Sequence, residues 1–505
     1  MKITKVDVMV LDAGAQAEMR KPICCRIYTD EGIYGDGEAG VAYGTGWRAA
    51  YGMIIDMAHH IIGKDPMNTE AIWEEIFKGT FWGQGGGVIV FSGMSAIDIA
   101  LMDIKGKKLG VPIYQLLGGK CRDKLRCYAS QLQFGWTSKI GPWGSEQEYV
   151  DIVSHAVSEG YDAVKIDFTT YDEEARKMSH ASKEGFVDRH MLTRIEKRMA
   201  AIREVYPDID IIVENHCQTD LNSAIAIGEL CDKYRMMAYE EPVTMLNPDV
   251  MRELRHRIKT PLAAGERIYS RWGYYNFLKD YSIQLIQPDA CNCGGITELK
   301  KIADLAHVFD ARVQVHVAGG VITNAASLQL EAAIPNFSIH EHHFRTTQDA
   351  INVLGKYSLQ PENGSYTVPD RPGLGQELSD FALETALMRV PLRHFQVSQV
   401  RLLLSVFFTS IPFLVDVVPF VAFPIVVFSV RTRHFFRLSL VRYFSLAVLE
   451  WEAEGEAGLD DRPAAFVRVP DTPSLVHDTV QSLADIIVAV VTLKHAVVFH
   501  GTATA

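Results

Sequence analysis

The chain has 505 residues, of which 48% are hydrophobic and 22% are charged, as in an average globular protein. This composition excludes a wholly disordered chain, a collagen-like repeat and a small disulfide-bonded scaffold. With 62 acidic and 50 basic residues the net charge is −12, so no basic surface is expected for nucleic acid or for an anionic membrane. Eight scattered cysteines without a zinc-knuckle spacing indicate free thiols in a reducing compartment, and we expect a cytoplasmic protein.

Residues 1–124 are predicted to form a small α+β capping domain. The first residues alternate like a strand and lack the apolar core of a signal peptide. Glycine and aspartate then cluster in Thr29–Glu38 between apolar stretches, as a β-hairpin requires. Helical periodicity follows over residues 48–80 and 93–108.

Residues 125–390 are predicted to form a (β/α)₈ barrel followed by a C-terminal segment. Short apolar runs alternate here with amphipathic stretches, mostly at intervals of about 25 residues, which favours parallel strands joined by crossover helices. The interval after the second run is longer and leaves room for a polar surface insert around Thr169–His190. The eight runs are Leu125–Ser130, Ala163–Phe168, Asp210–His216, Met236–Pro242, Pro261–Glu266, Ile283–Asp289, Arg312–Val317 and Phe337–Glu341.

Residues 391–505 differ in composition and are treated as a separate, atypically apolar tail. They contain no Cys and no Asn, and Asp416 is the single charged residue between positions 402 and 430. That apolar stretch is long enough to span a bilayer, but Pro412, Pro419 and Pro424 interrupt any helix there. The prolines favour a non-native or disordered extension over a membrane anchor or a soluble appendage. We therefore expect a chain ending at Val390 to fold and to be active.

Three carboxylates end successive predicted strands. Glu214 ends the third run, Glu240 the fourth and Glu266 the fifth. Active sites of such barrels lie at the carboxyl ends of the strands, where these three groups would repel one another unless a cation lay between them. Oxygen ligands suit Mg²⁺, so the sequence predicts one Mg²⁺ per subunit.

Two histidines are expected at the same end of the barrel. Asp289 ends the sixth run and His316 lies in the seventh, so neighbouring strands would bring a carboxylate beside an imidazole. Such a partner fixes the imidazole tautomer and raises its pKa, which makes histidine a usable general base. His216 lies two residues beyond Glu214 and therefore points to the same side of an extended strand.

Several motifs together carry a family resemblance over about residues 1–385. They are Gly35-Asp-Gly-Glu38, the helix Ala96–Gly106, Glu240-Glu-Pro242, Pro261–Arg267, Gln287-Pro-Asp289, Gly294–Glu298 and Pro372-Gly-Leu-Gly375. In these motifs the chain resembles the enolase superfamily, specifically the mandelate racemase and muconate lactonizing enzyme family. Within that family it is most similar to sugar-acid dehydratases of the D-galactonate dehydratase type.

The resemblance implies a role for each of these residues. Glu214, Glu240 and Glu266 would ligate Mg²⁺. His316, paired with Asp289, would remove the proton α to the substrate carboxylate, and Glu341 would help to stabilise the resulting ene-diolate; general schemes of this kind are known for the superfamily. His216 would protonate the departing 3-hydroxyl, which gives a 2-keto-3-deoxy acid. The residues implied to contact the substrate are Lys165, Asp167, Trp47 and Arg267.

The resemblance also implies capping loops near Gly14–Lys21 and Val41–Trp47, and a symmetric homo-oligomer acting on a small molecule. The expected substrate is an aldonic acid such as galactonate, mannonate or gluconate.

The chain departs from the family pattern at three places. Glu214 stands where the first metal ligand is commonly Asp. Lys165-Ile-Asp167 stands where many relatives carry Lys-x-Lys, whose second lysine is a base, and this argues against a two-base racemase. His340-Glu-His-His-Phe344 differs from galactonate-specific relatives. Two alternatives remain open, namely an epimerase, racemase or cycloisomerase on the same scaffold and a non-catalytic regulatory relative.

Overall fold

The computed structural model describes residues 1–14, 21–41, 45–179, 181–183, 185–343 and 349–393. Most of the two predicted capping loops and the tail beyond residue 393 lie outside these ranges. The described residues belong to one unit that contains an N-terminal α+β domain and a barrel, as the sequence predicts.

The N-terminal domain places an antiparallel sheet against helices. Its elements are β1 (Ile3–Val10), β2 (Ile23–Thr29), β3 (Tyr34–Ala39), α1 (Trp47–Ile61), α2 (Thr69–Gly79) and α3 (Gly87–Leu109). The predicted hairpin is the β2–β3 pair. β3 lies directly on α3, where a Cβ at Gly35 would be 2.1 Å from the carbonyl oxygen of Ala100 and one at Gly37 would be 1.8 Å from that of Ala96. These glycines therefore allow the close approach of strand and helix.

Helix α3 is the central helix of this domain. It is the one helix in the described part of the chain that is long and apolar enough to cross a membrane, and 83% of its most apolar stretch is buried inside the protein. It packs against α1, α2 and the sheet, which explains why it is apolar around its whole circumference.

The barrel contributes the second series of elements. In chain order these are α4 (Ile113–Leu116), β4 (Lys124–Ser130), β5 (Gly135–Trp136), β6 (Lys139–Ile140), α5 (Glu146–Ser158), β7 (Ala163–Ile166), α6 (Arg189–Val205), β8 (Asp210–Glu214), α7 (Leu221–Lys233), β9 (Ala238–Glu240), α8 (Pro248–Arg257), β10 (Leu262–Ala264), α9 (Ser270–Leu278), β11 (Leu285–Ile286), α10 (Gly295–Val308), β12 (Arg312–Val313), α11 (Val321–Ala333) and β13 (His340–His343).

Each of the eight predicted strands overlaps an observed one. They are parallel and follow the order β12-β11-β10-β9-β8-β7-β4-β13. A parallel bridge between Val313 and Phe337 joins the two edges of this sheet and closes the barrel. The short β5–β6 hairpin lies outside it.

The barrel interior consists of an apolar layer with a polar layer above it. Alternate residues of a strand face the interior, so Ile212 in the apolar layer is followed two residues later by Glu214. The apolar layer comprises Tyr128, Ala163, Ile212, Ala238, Ala263, Leu285 and Ile339. Two residues further along these strands lie Ser130, Lys165, Glu214, Glu240, Gln287 and Glu341, at the carboxyl ends. The fold thus collects polar groups at one mouth of the barrel.

The C-terminal segment returns to the N-terminal domain, and its last strand extends past the boundary predicted at residue 390. After α12 (Asp349–Asn352), β14 (Ser365–Thr367) and α13 (Asp380–Glu384), strand β15 (Met388–Arg393) pairs antiparallel with β1. The partners run from Val10 opposite Met388 to Lys5 opposite Arg393, so a cut at Val390 divides this strand. Pro391 is accommodated because β15 is the edge of the sheet.

Candidate active site

Lys165 joins three carboxylates at the centre of the polar layer. Its Nζ lies 3.1 Å from Glu214 Oε1, 2.7 Å from Glu240 Oε1 and 2.9 Å from Glu341 Oε1, and the side chain is 1% exposed. Burial disfavours the charged amine, but the three carboxylates more than offset this and hold the pKa of Lys165 well above its ordinary value. The sequence implied a substrate contact for Lys165, whereas the structure surrounds its amino group with protein carboxylates.

The cluster carries more negative than positive charge. Glu214 and Glu240 are direct cross-strand neighbours. Burial, together with the nearby carboxylates, raises the pKa of Glu240 to about 7. Glu341 behaves in the opposite way: burial opposes its ionisation, but Lys165, His316 and the backbone N–H of Val317 together outweigh burial and lower its pKa to about 2. One ammonium therefore does not neutralise the three carboxylates that surround it.

Within the described part of the chain, no group of three or more His, Cys, Asp or Glu side chains is arranged as a formed metal site. Lys165 lies between Glu214 and Glu240, while Glu266 contacts His316 and Arg267 instead. The donor set nevertheless fits a hard divalent cation. It offers carboxylates from three successive strands, and Glu214 Oε2 is buried with no hydrogen-bond partner among the described residues.

His316 and Asp289 lie in hydrogen-bond contact. The distance from His316 Nδ1 to Asp289 Oδ2 is 2.8 Å, and Asp289 Oδ1 accepts the backbone N–H of Cys291 at 2.7 Å. The second imidazole nitrogen, Nε2, lies 3.0 Å from Glu266 Oε2. Although burial opposes protonation, Glu266 and Asp289 hold the pKa of His316 well above its ordinary value.

His216 forms a second imidazole–carboxylate pair. Its Nε2 lies 3.0 Å from Glu214 Oε1, and its Nδ1 lies 3.4 Å from Asp167 Oδ2. Asp167 also accepts hydrogen bonds from the backbone and hydroxyl of Thr169. Asp167, implied by the resemblance to contact substrate, is thus the partner of His216. Burial opposes its ionisation, yet His216, Lys183 and Thr169 together lower the pKa of Asp167 to about 2.

Arg267 and Trp47 lie further from the cluster centre. Arg267 bridges Glu266 and the buried Glu241 through one guanidinium nitrogen. Trp47 begins α1, packs beside the N-terminal core and lies under the guanidinium of Arg48 at 4.2 Å. No described contact joins Trp47 to the barrel mouth, so its substrate contact stays a prediction.

Sequence reasoning missed three polar residues of this site. Gln287 donates to Glu240, Ser130 donates to Glu341 at 2.7 Å, and Glu241 is buried beside Arg267. Gln287 and Ser130 lie two residues beyond apolar barrel residues, so the strand alternation could have identified them. Glu241 could not be found in this way, because its φ of +45° turns the chain out of the strand.

Comparisons with known proteins agree with the fold described above. Residues 9–118 match the model of the mandelate racemase / muconate lactonizing enzyme N-terminal domain, and residues 148–382 match the enolase C-terminal domain-like model. The chain belongs to the mandelate racemase/muconate lactonizing enzyme family. The first match covers most of the α+β domain, and the second covers the barrel from α5 onward.

Named relatives are similar to this chain over most of their length. A D-galactonate dehydratase of Pectobacterium atrosepticum is 31% identical over 387 residues, which are 75% of this chain and 93% of the relative. A D-xylonate dehydratase of Haloferax volcanii is 31% identical over 368 residues, 72% of this chain and 85% of the relative. The crystal structure of an enolase-superfamily member from Salmonella Typhimurium is 47% identical, has a TM-score of 0.75, and covers 78% of this chain and 100% of its own.

Proposed function

We propose that this protein is a Mg²⁺-dependent dehydratase of a sugar acid, a hydro-lyase of the cytoplasm that acts as a homo-oligomer. The observation that carries the proposal is the pair of histidines at one barrel mouth, each with its own carboxylate partner, on either side of the glutamate cluster. Dehydration of an aldonic acid needs a base for the α-proton and an acid for the leaving hydroxyl. The relatives named as D-galactonate and D-xylonate dehydratases support this reaction class.

His316 is proposed as the base. In the neutral form of His316, Nδ1–H donates to Asp289 and Nε2 is the basic nitrogen, which faces the carboxylates at the mouth. The C2–H bond breaks, the proton passes to Nε2, and the electron pair moves toward the substrate carboxylate. Glu341, held by Ser130 and by the backbone N–H of Val317, borders the same space.

His216 is proposed as the acid. Asp167 holds its Nδ1, and Nε2 faces the mouth beside Glu214. Protonation of the 3-hydroxyl by Nε2 accompanies cleavage of the C3–O bond, so that water leaves. The enol that remains tautomerises to a 2-keto-3-deoxy acid.

Glu214, Glu240 and Glu266 would hold the cation. When bound, Mg²⁺ would supply electrophilic stabilisation for the negative charge that develops on the substrate carboxylate. Lys165 contributes a fixed positive charge to the same cluster, and Gln287 orients Glu240 through its amide. Arg267, half-exposed at the rim, is the residue proposed to contact the distal part of the substrate.

The site supports two other functions less well, namely isomerisation on the same scaffold and a non-catalytic role. An epimerase, racemase or cycloisomerase shares the α-proton abstraction, but a two-base racemase needs a base where this chain has Asp167, which is already paired with His216. A non-catalytic relative has no need of two oriented imidazoles.

A substrate panel tests the proposal. The purified full chain is incubated with MgCl₂ and D-galactonate, D-mannonate, D-gluconate or D-xylonate, and 2-keto-3-deoxy acid is measured colorimetrically. We expect turnover of at least one acid, loss of turnover with EDTA and recovery with added Mg²⁺. His316→Asn is the inactive control. Product formation that survives metal removal, or no product from any acid, contradicts the proposal.

A further inference from the structure

The barrel helices differ in how their first turns are capped. The backbone N–H groups of a helix's first turn need acceptors, which a side chain just before the helix usually supplies. Helices α5, α6, α7 and α8 follow this rule, with the side chains of Ser145, Asp188, Asp220 and Asn247 as caps. Helices α10 and α11 instead follow Gly294 and Gly320, which have no side chain to offer.

Glu38 of the N-terminal domain caps α11. Its two carboxylate oxygens accept the backbone N–H groups of Gly320 at 2.5 Å and Thr323 at 3.0 Å. Glu38 is the penultimate residue of β3 and is 1% exposed. A Cβ at Gly319 would lie 2.9 Å from Glu38 Oε1, so the bare backbone leaves room for the incoming carboxylate.

Asp98 of the N-terminal domain caps α10 in the same way. Its Oδ2 accepts the backbone N–H of Thr297 at 2.9 Å, and the side chain is 2% exposed. A Cβ at Gly295 would lie 2.4 Å from that oxygen, so glycine is again required. Ser95, on the same helix as Asp98, accepts the backbone N–H of Gly294 at 3.0 Å.

Helices α10 and α11, which the N-terminal domain caps, are the helices that follow Asp289 and His316 in the chain. Gly294 lies five residues after Asp289, and Gly320 lies four residues after His316. The intervening loop after Asp289 is also tied to the N-terminal domain, since Gly40 donates to the carbonyl of Cys291 at 3.0 Å. Both short loops therefore run between a barrel strand and a helix turn that the N-terminal domain fixes.

We propose that Glu38 and Asp98 are positioning residues, through which the N-terminal domain sets the geometry of the Asp289–His316 pair. The assignment of this pair to proton abstraction rests on the function proposed above, whereas the positional coupling does not. Misplacement of a reacting group by about 1 Å lowers turnover by about a hundredfold, so two displaced loops would affect kcat more than substrate affinity.

The test compares Glu38→Ala and Asp98→Ala with variants that keep an acceptor oxygen, Glu38→Gln and Asp98→Asn. The matched control, Asp188→Ala, removes an equivalent cap from α6, which belongs to neither loop. For each full-length variant, peptide mass spectrometry would measure the rate at which diethyl pyrocarbonate modifies His316. Amide exchange would be measured in residues 290–297 and 317–323. Steady-state kinetics would give kcat and KM on the sugar acid that the unaltered enzyme turns over.

We expect both alanine variants to raise the His316 modification rate and the amide exchange rates about tenfold or more, because one cap is lost from each helix. Their kcat should fall about tenfold to a hundredfold with little change in KM. The amide variants should recover most of kcat, and Asp188→Ala should lower the melting temperature without affecting kcat or His316.

Unchanged His316 reactivity and loop exchange in folded Glu38→Ala and Asp98→Ala would overturn the proposal. Equal losses of kcat in Asp188→Ala would also overturn it, because they would reflect general instability. If the unaltered protein converts no sugar acid, the proposed function fails, while His316 reactivity and amide exchange still decide the positional coupling.

Discussion

Replacing Lys165 by methionine removes an ammonium group that contacts Glu214, Glu240 and Glu341, while it keeps a similar apolar volume. The change removes the ammonium from Glu240 and Glu341, whereas Glu214 keeps its contact with the imidazole of His216. It therefore tests whether the ammonium holds the cluster together when no metal is bound.

The magnitude follows from the contacts. At an effective dielectric constant of about 20, charges about 3 Å apart attract by about 5–6 kcal/mol, and Lys165 makes three such contacts. The cost of desolvating four groups cancels most of this sum. Removing one partner from a buried ion pair typically lowers stability by about 3–5 kcal/mol. We expect a loss in that range, a large part of the free energy of unfolding of a typical domain.

Urea denaturation of EDTA-treated protein measures this loss. Lys64→Met is the control, because Lys64 pairs with Glu75 at the surface and its removal should cost less than about 1 kcal/mol. If Mg²⁺ binds the same carboxylates, Mg²⁺ at a hundred times its dissociation constant should restore about 2.7 kcal/mol to Lys165→Met. A loss no larger than that of the control would refute the reasoning.

Three further predictions concern the candidate catalytic pair, a buried acid and the C-terminal strand. His316→Asn should abolish both turnover and exchange of the substrate α-proton with deuterated solvent, whereas His216→Asn should abolish dehydration but retain exchange. NMR of the substrate measures this exchange. If His316→Asn still exchanges the α-proton, His316 is not the base. Burial raises the pKa of Asp98 from 3.8 to about 7. Between pH 3.8 and about 7 the folded protein therefore keeps a proton on Asp98 that the unfolded chain has lost. The free energy of unfolding should consequently fall as pH rises from about 4 to about 7. Asp98→Asn should flatten this part of the stability–pH curve in urea titrations, and an unaltered slope would contradict the assignment. A chain ending at Val390 should have a lower melting temperature than one ending at Arg393, because it lacks the second half of β15. Equal melting temperatures would mean that residues 391–393 contribute no stability.

The barrel could be predicted from the sequence because its signals are local. Each strand is a short apolar run, and each functional carboxylate, such as Glu214 or Glu240, ends its own run. The contact between Asp289 and His316 followed from the adjacency of consecutive strands in such a fold.

Contacts between distant segments could not be predicted in this way. Strand β15 is six residues long, contains a proline and pairs with residues at the other end of the chain. Lys165 faces three carboxylates from three different strands, and that convergence depends on side-chain reach rather than on any pattern around Lys165. Capping of α11 by Glu38 joins residues 282 or more positions apart.

The pairing of β1 with β15 has a consequence for synthesis of the protein. β1 leaves the ribosome before the barrel is made, but its edge partner β15 follows only after the whole barrel. At about 5–20 residues per second, that delay is about 20–75 s. Throughout this time the nascent β1 presents an open edge of the kind that pairs with other chains. Binding of a chaperone to β1 during translation would therefore be most useful before β15 emerges, and full protection of β1 against proteolysis should begin once β15 has left the ribosome, ahead of residues 394–505.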